Sequence, residues 1–144
     1  FVLGLSQSGF HRLSYTEWGA ADAVHVVVCV HGDTRNARDF GVLAQALQSR
    51  CRVLCPDVVG RGQSDWLARK EDYAYPQYLA DMTAVIARAT EHLLPDARID
   101  WVGTSMGGLI GILIAAQPRH PIRRLVLNDI GPSVPKAALE RIAS

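Results

Sequence analysis

Gly103-Thr104-Ser105-Met106-Gly107 is the stretch that decides which fold is predicted for this chain. It lies between a strand-like apolar run, residues 99–102, and a continuous apolar segment, residues 108–116, with the composition of a buried helix. A Gly-x-Ser-x-Gly sequence in this position is typical of a nucleophile elbow. That turn is so sharp that only glycine fits two residues before and after the serine, whose hydroxyl projects from the strand end. The simpler alternative is a plain glycine-rich turn. A phosphate-binding loop is disfavoured, because no Lys-Ser/Thr follows the glycines and the spacing differs from G-x-G-x-x-G.

Strand and helix patterns alternate along the rest of the chain. Buried strands are predicted at residues 25–30, 52–57, 99–102 and 123–129, helices at 36–48, 75–93 and 106–117, and an antiparallel edge strand at 12–18. Such alternation arises from βαβ crossovers, so we expect an α/β fold: a mostly parallel sheet with helices on both faces. At 144 residues, the chain is expected to form one domain, residues 1–144.

Composition excludes several classes of partner. A hydrophobic share of 49%, a charged share of 20% and a net charge of +1 are typical of a globular protein and provide no basic surface for nucleic acid or an anionic membrane. The apolar stretch Met106–Ala116 is too short and too rich in glycine to span a bilayer. Residues 1–9 lack the pattern of a secretory signal.

The three cysteines, Cys29, Cys51 and Cys55, are predicted to be reduced thiols in the core. A metal site built on Cys51 and Cys55 would need two further ligands at matching spacing, and the sequence offers none. We therefore expect no metal and no cofactor. Reduced thiols without a secretory signal favour a cytoplasmic protein.

Two motifs before the serine and one after it resemble the α/β-hydrolase fold family, in its serine esterase-like branch. His31-Gly32-Asp33-Thr34 follows the first buried strand, and the D-x-x-G-x-G-x-S sequence Asp57–Ser64 follows the next one. Asn128-Asp129-Ile130-Gly131-Pro132 closes the strand after the Ser105 segment. The resemblance covers all 144 residues but only the first half of a typical member, so a core truncated before the lid and last strands is expected. Residues 133–144 would begin the lid.

The resemblance implies specific roles for four residues. Ser105 would be the nucleophile, and the backbone N–H groups of Asp33 and Met106 would form the oxyanion hole. Asp129 would be the acid of the catalytic triad, as in one esterase branch; in most other branches the acid comes one strand later. A third interpretation is that Asp129 caps the next helix or pins its loop. A carboxylate at Asp33 would discourage anionic substrates unless Arg35 or Arg38 neutralises it.

The family's catalytic histidine follows the serine and the acid, and no histidine of this chain fits that order. The five histidines are His11, His25, His31, His92 and His120. Only His120 follows Ser105, and it belongs to a loop at the opposite edge of the sheet, where solvent should surround it. His31 is expected to brace the loop beneath the oxyanion hole. The 144-residue chain is therefore expected to be inactive by itself.

The resemblance implies hydrolysis of a small ester, a thioester or a related acyl compound. Cleavage of a C–C bond or a lactone, and cofactor-free peroxidase activity, would use the same residues. Haloalkane dehalogenation is disfavoured, because it needs an aspartate where Ser105 stands. A ligand sensor or a non-catalytic scaffold on the same core are alternatives of another class. A scaffold should have lost Ser105, whereas a sensor would turn over very slowly. The expected partner is a small acyl substrate, and assembly into a homo-oligomer is left open.

Overall fold

The computed structural model describes residues 1–131, 133, 136 and 137. The predicted start of the lid, residues 133–144, therefore lies almost entirely outside the described residues, as does Pro132 of the last motif. The strands are β1 (Val2–Ser6), β2 (Gly9–Leu13), β3 (Tyr15–Trp18), β4 (Val26–Val30), β5 (Arg52–Pro56), β6 (Ile99–Thr104) and β7 (Ile122–Asn128). The α-helices are α1 (Gly41–Leu47), α2 (Tyr75–Thr90) and α3 (Met106–Ala115), and a short 3-10 helix, Ala37–Phe40, precedes α1.

Five strands form the main sheet, in the order β3-β5-β4-β6-β7. The pairs β5–β4, β4–β6 and β6–β7 are parallel, and β3 adds an antiparallel edge. Every residue of β4 and β5 is buried, which explains why their sequences, apart from Arg52, are apolar without alternation. The predicted α/β class and the mostly parallel sheet are confirmed.

Helices cover both faces of this sheet, as predicted. On one face, Val27 and Cys29 of β4 pack with Phe40 and Ala44 from the 3-10 helix and α1. On the other face, Val26, Val28 and Val30 of β4 belong to the larger core, which α2 and α3 cover with Met82, Val85, Ile86 and Ile110. The alternation of side chains along one buried strand thus divides the core in two.

The strand order places the loops after β4 and β6 side by side. From β4 the chain crosses to β5 on one side and then returns through α2 to β6 on the other side, so β4 is the switch point of the sheet. In open α/β sheets, ligands bind at the carboxyl ends of the strands at this switch point. The loop that begins at His31 and the turn that contains Ser105 both lie there.

The predicted edge strand at residues 12–18 is divided into two strands. β2 pairs with β1 in a separate antiparallel hairpin, and only β3 joins the main sheet. The break falls at Ser14, whose N–H donates to Ser64 Oγ (2.8 Å) and whose C=O accepts from Asp57 N–H (2.9 Å). The loop after β5 therefore takes the hydrogen bonds that a continuous strand would use.

The helices of the described residues are too short or too polar to cross a membrane.

Candidate active site

Ser105 is the single residue between β6 and α3, and its backbone conformation is one that non-glycine residues rarely adopt. Its φ is 49° and its ψ is −113°. Such a conformation persists only where its surroundings hold it, and it is common at functional sites. The sharp strand-to-helix turn expected from Gly103–Gly107 is therefore present. We call these five residues the Ser105 turn.

The two outer glycines of the Ser105 turn leave no space for a side chain. A Cβ at Gly103 would collide with the backbone of Gly107, and a Cβ at Gly107 would collide with the backbone of Val30 and His31. The glycine requirement predicted from the sequence is thus steric, and it comes from two directions. The turn folds back on itself, and α3 starts directly against the end of β4.

Hydrogen bonds fix the Ser105 turn from three sides. Ser105 N–H donates to Asn128 C=O (3.0 Å), and Ser105 C=O accepts from the N–H groups of Gly108 (2.9 Å) and Leu109 (3.0 Å). The buried Trp101 indole donates to Gly107 C=O (3.0 Å). The Ser105 hydroxyl itself has no hydrogen-bond partner among the described residues.

The His31–Asp33 loop lies against the Ser105 turn. A Cβ at Gly32 would lie 3.5 Å from Ser105 Cβ, which is ordinary van der Waals contact and shows that the two residues are neighbours. Within the part of the chain that the structure describes, the N–H groups of Asp33 and Met106 donate to no acceptor. Met106 is the first residue of α3, where a helix leaves its amides unpaired. Two free amides are thus available near Ser105.

His31 braces its loop, as expected from the sequence. Its ring is fully buried, with Nδ1 donating to Gly32 C=O (2.7 Å) and Nε2 accepting from Val58 N–H (3.0 Å). Burial lowers the pKa of His31 and outweighs the hydrogen bond to Gly32 and the charge of Asp57. A neutral ring with both nitrogens engaged has no position left from which to take a proton from Ser105.

The other four histidines are engaged away from Ser105. His11 pairs with Asp81 (2.9 Å), His25 with Asp100 (2.6 Å), and His92 Nε2 with Ala23 C=O (2.9 Å). His120 precedes β7 at the opposite edge of the sheet, as predicted. The prediction that solvent surrounds it is wrong, because it is half-buried and its Nδ1 is enclosed without a partner among the described residues.

The two aspartates that follow strands differ in the way they are held. Asp57 is buried, and its carboxylate accepts from the N–H groups of Ala37 (2.8 Å) and Gln63 (2.9 Å), so it serves its own glycine turn. Asp129 is exposed, with a φ of 55°, and directly follows the residue whose C=O holds Ser105 N–H. Asp129 thus lies beside the Ser105 turn with a side chain open to a partner.

Arg61 is the site residue that the sequence analysis missed. Its Nε donates to Asp33 C=O (3.0 Å), and its Nη2 pairs with the Asp33 carboxylate and contacts Met106 Sδ (3.8 Å). Arg35 was one of two candidates to neutralise Asp33, but it pairs with Asp39 instead (2.6 Å). Arg38, the other candidate, is exposed, and the residue that pairs with Asp33 is Arg61. The only signal for Arg61 was its place between two glycines of the Asp57–Ser64 motif.

Among the described residues, no group of three or more His, Cys, Asp or Glu side chains is arranged to hold a metal ion. The three cysteines are free and buried. The chemistry available at this edge of the sheet therefore comes from the serine, the two amides, the carboxylates and Arg61.

Comparison with known proteins agrees with this geometry. Residues 25–143 match the family described as alpha/beta hydrolase fold. A 3-hydroxybutyrate-oligomer hydrolase from Cupriavidus necator is 49% identical over 144 residues, which are 100% of this chain and 47% of that protein. A haloalkane dehalogenase from Mycolicibacterium paratuberculosis is 32% identical over 123 residues, 82% of this chain and 38% of that protein.

A solved structure is similar to this chain in fold as well as in sequence. An alpha/beta hydrolase from Novosphingobium aromaticivorans has a TM-score of 0.82 and 41% identity, and the match covers 97% of this chain and 47% of that one. The chain thus spans about half, or less, of the length of these proteins. The relatives named above are hydrolases. Because the motifs, the sheet and the family match agree, the chain belongs to the α/β-hydrolase fold family.

Proposed function

We propose that this chain carries the nucleophile and the oxyanion hole of a serine hydrolase that cleaves small esters of hydroxy acids. The observation that carries the proposal is Ser105, held in a strained conformation beside two free amides, those of Asp33 and Met106. The substrate class is supported by the 3-hydroxybutyrate-oligomer hydrolase that is 49% identical over this chain's whole length. Oligomers of a hydroxy acid are linear esters with a carboxylate at one end.

In the proposed mechanism, Ser105 Oγ attacks the ester carbonyl as a histidine removes its proton. The N–H groups of Asp33 and Met106 stabilise the oxyanion of the tetrahedral intermediate. The histidine then protonates the leaving alcohol, and water releases the acid from the acyl-enzyme. Asp129 would orient the histidine, which is not among the described residues. This chemistry needs no cofactor.

Rival activities are weaker on specific grounds. A haloalkane dehalogenase needs a carboxylate nucleophile, and this chain has Ser105 at that position. C–C bond or lactone hydrolysis would use the same residues, and the hydroxy-acid relative favours linear esters over both. A ligand sensor would keep the same geometry but turn over very slowly, so kcat separates it from an enzyme.

The test is active-site labelling and turnover in the full-length protein. A fluorophosphonate probe should label Ser105, and the dimeric ester of 3-hydroxybutyrate should be hydrolysed at an ordinary enzymatic rate, about 1 per second or more. Ser105→Ala should abolish both, whereas Ser8→Ala, which alters a serine in the turn between β1 and β2, should retain both. Labelling without turnover of any ester would support a sensor and contradict the proposal.

Asp129→Asn should lower kcat by about 10⁴-fold with little change in KM, because the amide cannot hold the histidine in the productive tautomer. Asp57→Asn is the matched comparison: it replaces one of two buried carboxylate oxygens, each of which accepts from a backbone N–H, with an NH2 group that cannot accept, so it should lower stability more than Asp129→Asn does. Near-normal kcat for Asp129→Asn would show that the acid of the catalytic triad comes from a later strand instead.

A further inference from the structure

We propose that Arg61 is a positioning residue for the Ser105 site, one that neutralises Asp33 so that the oxyanion hole can accept negative charge. The inference rests on the proposed function and extends it to the substrates that the site admits. It joins three features: an acidic residue at one proposed amide donor, an arginine side chain that contacts both residues whose amides are the proposed donors, and a substrate class that carries a carboxylate.

A single guanidinium joins the two proposed donors. Arg61 hydrogen-bonds Asp33 through both the backbone C=O and the carboxylate, and contacts Met106 through the thioether. Two further bonds hold the guanidinium in place: Nη1 donates to Val59 C=O (2.9 Å) and to the Tyr78 hydroxyl (3.2 Å). The Tyr78 ring also lies 5.4 Å from the guanidinium carbon. Only 18% of the Arg61 side chain is exposed, so its position is well fixed.

The charge of Asp33 is the reason that a fixed arginine matters here. The amide of Asp33 would donate to an oxyanion, and the carboxylate of the same residue stands a few bonds away. The Asp33 side chain is 49% exposed, so water weakens the repulsion between two like charges at this separation but does not remove it. Arg61 is paired with that carboxylate, whereas Arg35 is occupied by Asp39. The pair therefore leaves the hole without a net opposing charge.

The same pairing bears on the charge of the substrate. An unpaired Asp33 would repel an ester that carries a carboxylate, such as an oligomer of a hydroxy acid. With Arg61 in place, the region beside the hole is neutral, and an anionic ester meets no net repulsion. The ratio of kcat/KM for anionic and neutral esters therefore measures the effect of the pair formed by Asp33 and Arg61.

The experiment compares Arg61→Met with the double variant Arg61→Met/Asp33→Asn in the full-length protein, using p-nitrophenyl butyrate as the neutral ester and the 3-hydroxybutyrate dimer as the anionic one. Arg61→Met should lower kcat for the neutral ester by about 30- to 100-fold with KM changed by less than about threefold, the size of a weakened oxyanion hole. It should lower kcat/KM for the anionic ester by about a further tenfold. The double variant should recover kcat to within about fivefold of the parent, because the unpaired charge is gone.

Controls separate this outcome from simpler ones. Arg88→Met removes an arginine that pairs with Glu91 on the surface of α2, and it should leave both rates unchanged. Arg61→Lys keeps the charge but not the fork of hydrogen bonds, so its rates should fall between those of the parent and Arg61→Met. Asp33→Asn alone keeps an acceptor for Arg61 and should raise the anionic-to-neutral ratio about tenfold, which tests the proposal even if Arg61→Met does not fold.

Two results would overturn the proposal. One is unchanged kcat in Arg61→Met. The other is a loss of kcat that Asp33→Asn does not recover, because Arg61 would then serve only the fold of its loop. Labelling of Ser105 by the fluorophosphonate in the parent shows, independently of these ratios, whether the proposed function itself holds.

Discussion

At the scale of single residues, Gly107 shows how one missing side chain positions the candidate site. Its Cα lies against the carbonyl groups of Val30 and His31, so the end of β4 and the start of α3 touch through backbone alone. This contact brings the His31–Asp33 loop to Ser105. Gly32 also lies beside the serine, but a Cβ there would make only ordinary contacts. Backbone, which cannot rotate away, therefore sets the distance between the two free amides.

Gly107→Ala should lower the free energy of unfolding by about 2 kcal/mol or more, because the new methyl group overlaps backbone that cannot move cheaply. Gly41→Ala is the matched control. A Cβ at Gly41, the first residue of α1, meets nothing within 4 Å, so alanine should be neutral or stabilise by about 0.5 kcal/mol. Urea denaturation of both variants measures the difference, and equal effects would contradict the steric argument.

The residues of the candidate site were predictable from sequence where their signal is local. Ser105 and its glycines form a continuous motif, and the structure shows the backbone that this motif requires. The pairing of Asp33 with Arg61 joins residues 28 positions apart, and nothing nearby in sequence indicates it. Arg35 was the nearer candidate, but Asp39 lies four residues after it on the following 3-10 helix and takes it first.

At the scale of elements, the buried strands were the most predictable. β4, β5 and β6 lie within one or two residues of the predicted segments, because strands covered on both faces have mostly apolar sequences without alternation. The division between β2 and β3 was not predictable. It depends on Ser64 and Asp57, which reach Ser14 from a loop more than forty residues away. The same fold-back explains why residues 1–13 form their own hairpin.

The amino ends of β4, β6 and β7 are joined by Asp100. Its carboxylate pairs with His25 (2.6 Å) and with two nitrogens of Arg123 (3.0 and 2.9 Å). Burial alone would raise the pKa of Asp100, but the hydrogen bonds from Arg123 and His25 outweigh it and lower the pKa. The folded state therefore binds the proton of Asp100 less tightly than the unfolded chain does.

It follows that Asp100 stabilises the fold above its ordinary pKa, about 4, and that this contribution is lost as the pH falls through the lowered value. Asp100→Asn should cost about 1–2 kcal/mol at pH 7 and remove that part of the acid sensitivity. Denaturation curves between pH 2.5 and pH 7 would show the two proteins converging at low pH. Asp22→Asn, in an exposed turn, serves as the control, and a constant difference across the range would refute the assignment.

At the scale of the whole molecule, the strand order gathers the candidate residues at one edge of the sheet and the histidines elsewhere. β4, β6 and β7 deliver Asp33, Ser105 and Asp129 to neighbouring positions at their carboxyl ends. Within the described residues, each histidine ring is engaged by other groups or lies at the far edge. The topology thus keeps the described histidines away from the nucleophile.

The 144-residue chain should therefore hydrolyse an activated ester no faster than buffer does, because proton transfer needs a base at about 2.6–3.2 Å from Ser105 Oγ and the five histidines, all among the described residues, are engaged by other groups or lie at the far edge. Its labelling by a fluorophosphonate should likewise be slow. Both rates are measured on the purified chain, with Ser105→Ala as the blank. Rapid labelling that is lost in His31→Asn would show that His31 is the base despite its two hydrogen bonds.

The indole of Trp101 gives this fold an optical reporter of its own. Trp101 is fully buried, lies against Gly111 of α3 and donates to the carbonyl of Gly107, whereas Trp66 is 78% exposed. The third tryptophan, Trp18 on β3, is half-buried. The fluorescence of the chain is thus divided among a tryptophan shielded from quenchers beneath the Ser105 turn, one partly shielded and one open to them. The emission that resists acrylamide most strongly comes from Trp101 and follows the integrity of the turn in solution, so any variant can be checked for an intact turn before its rate is measured.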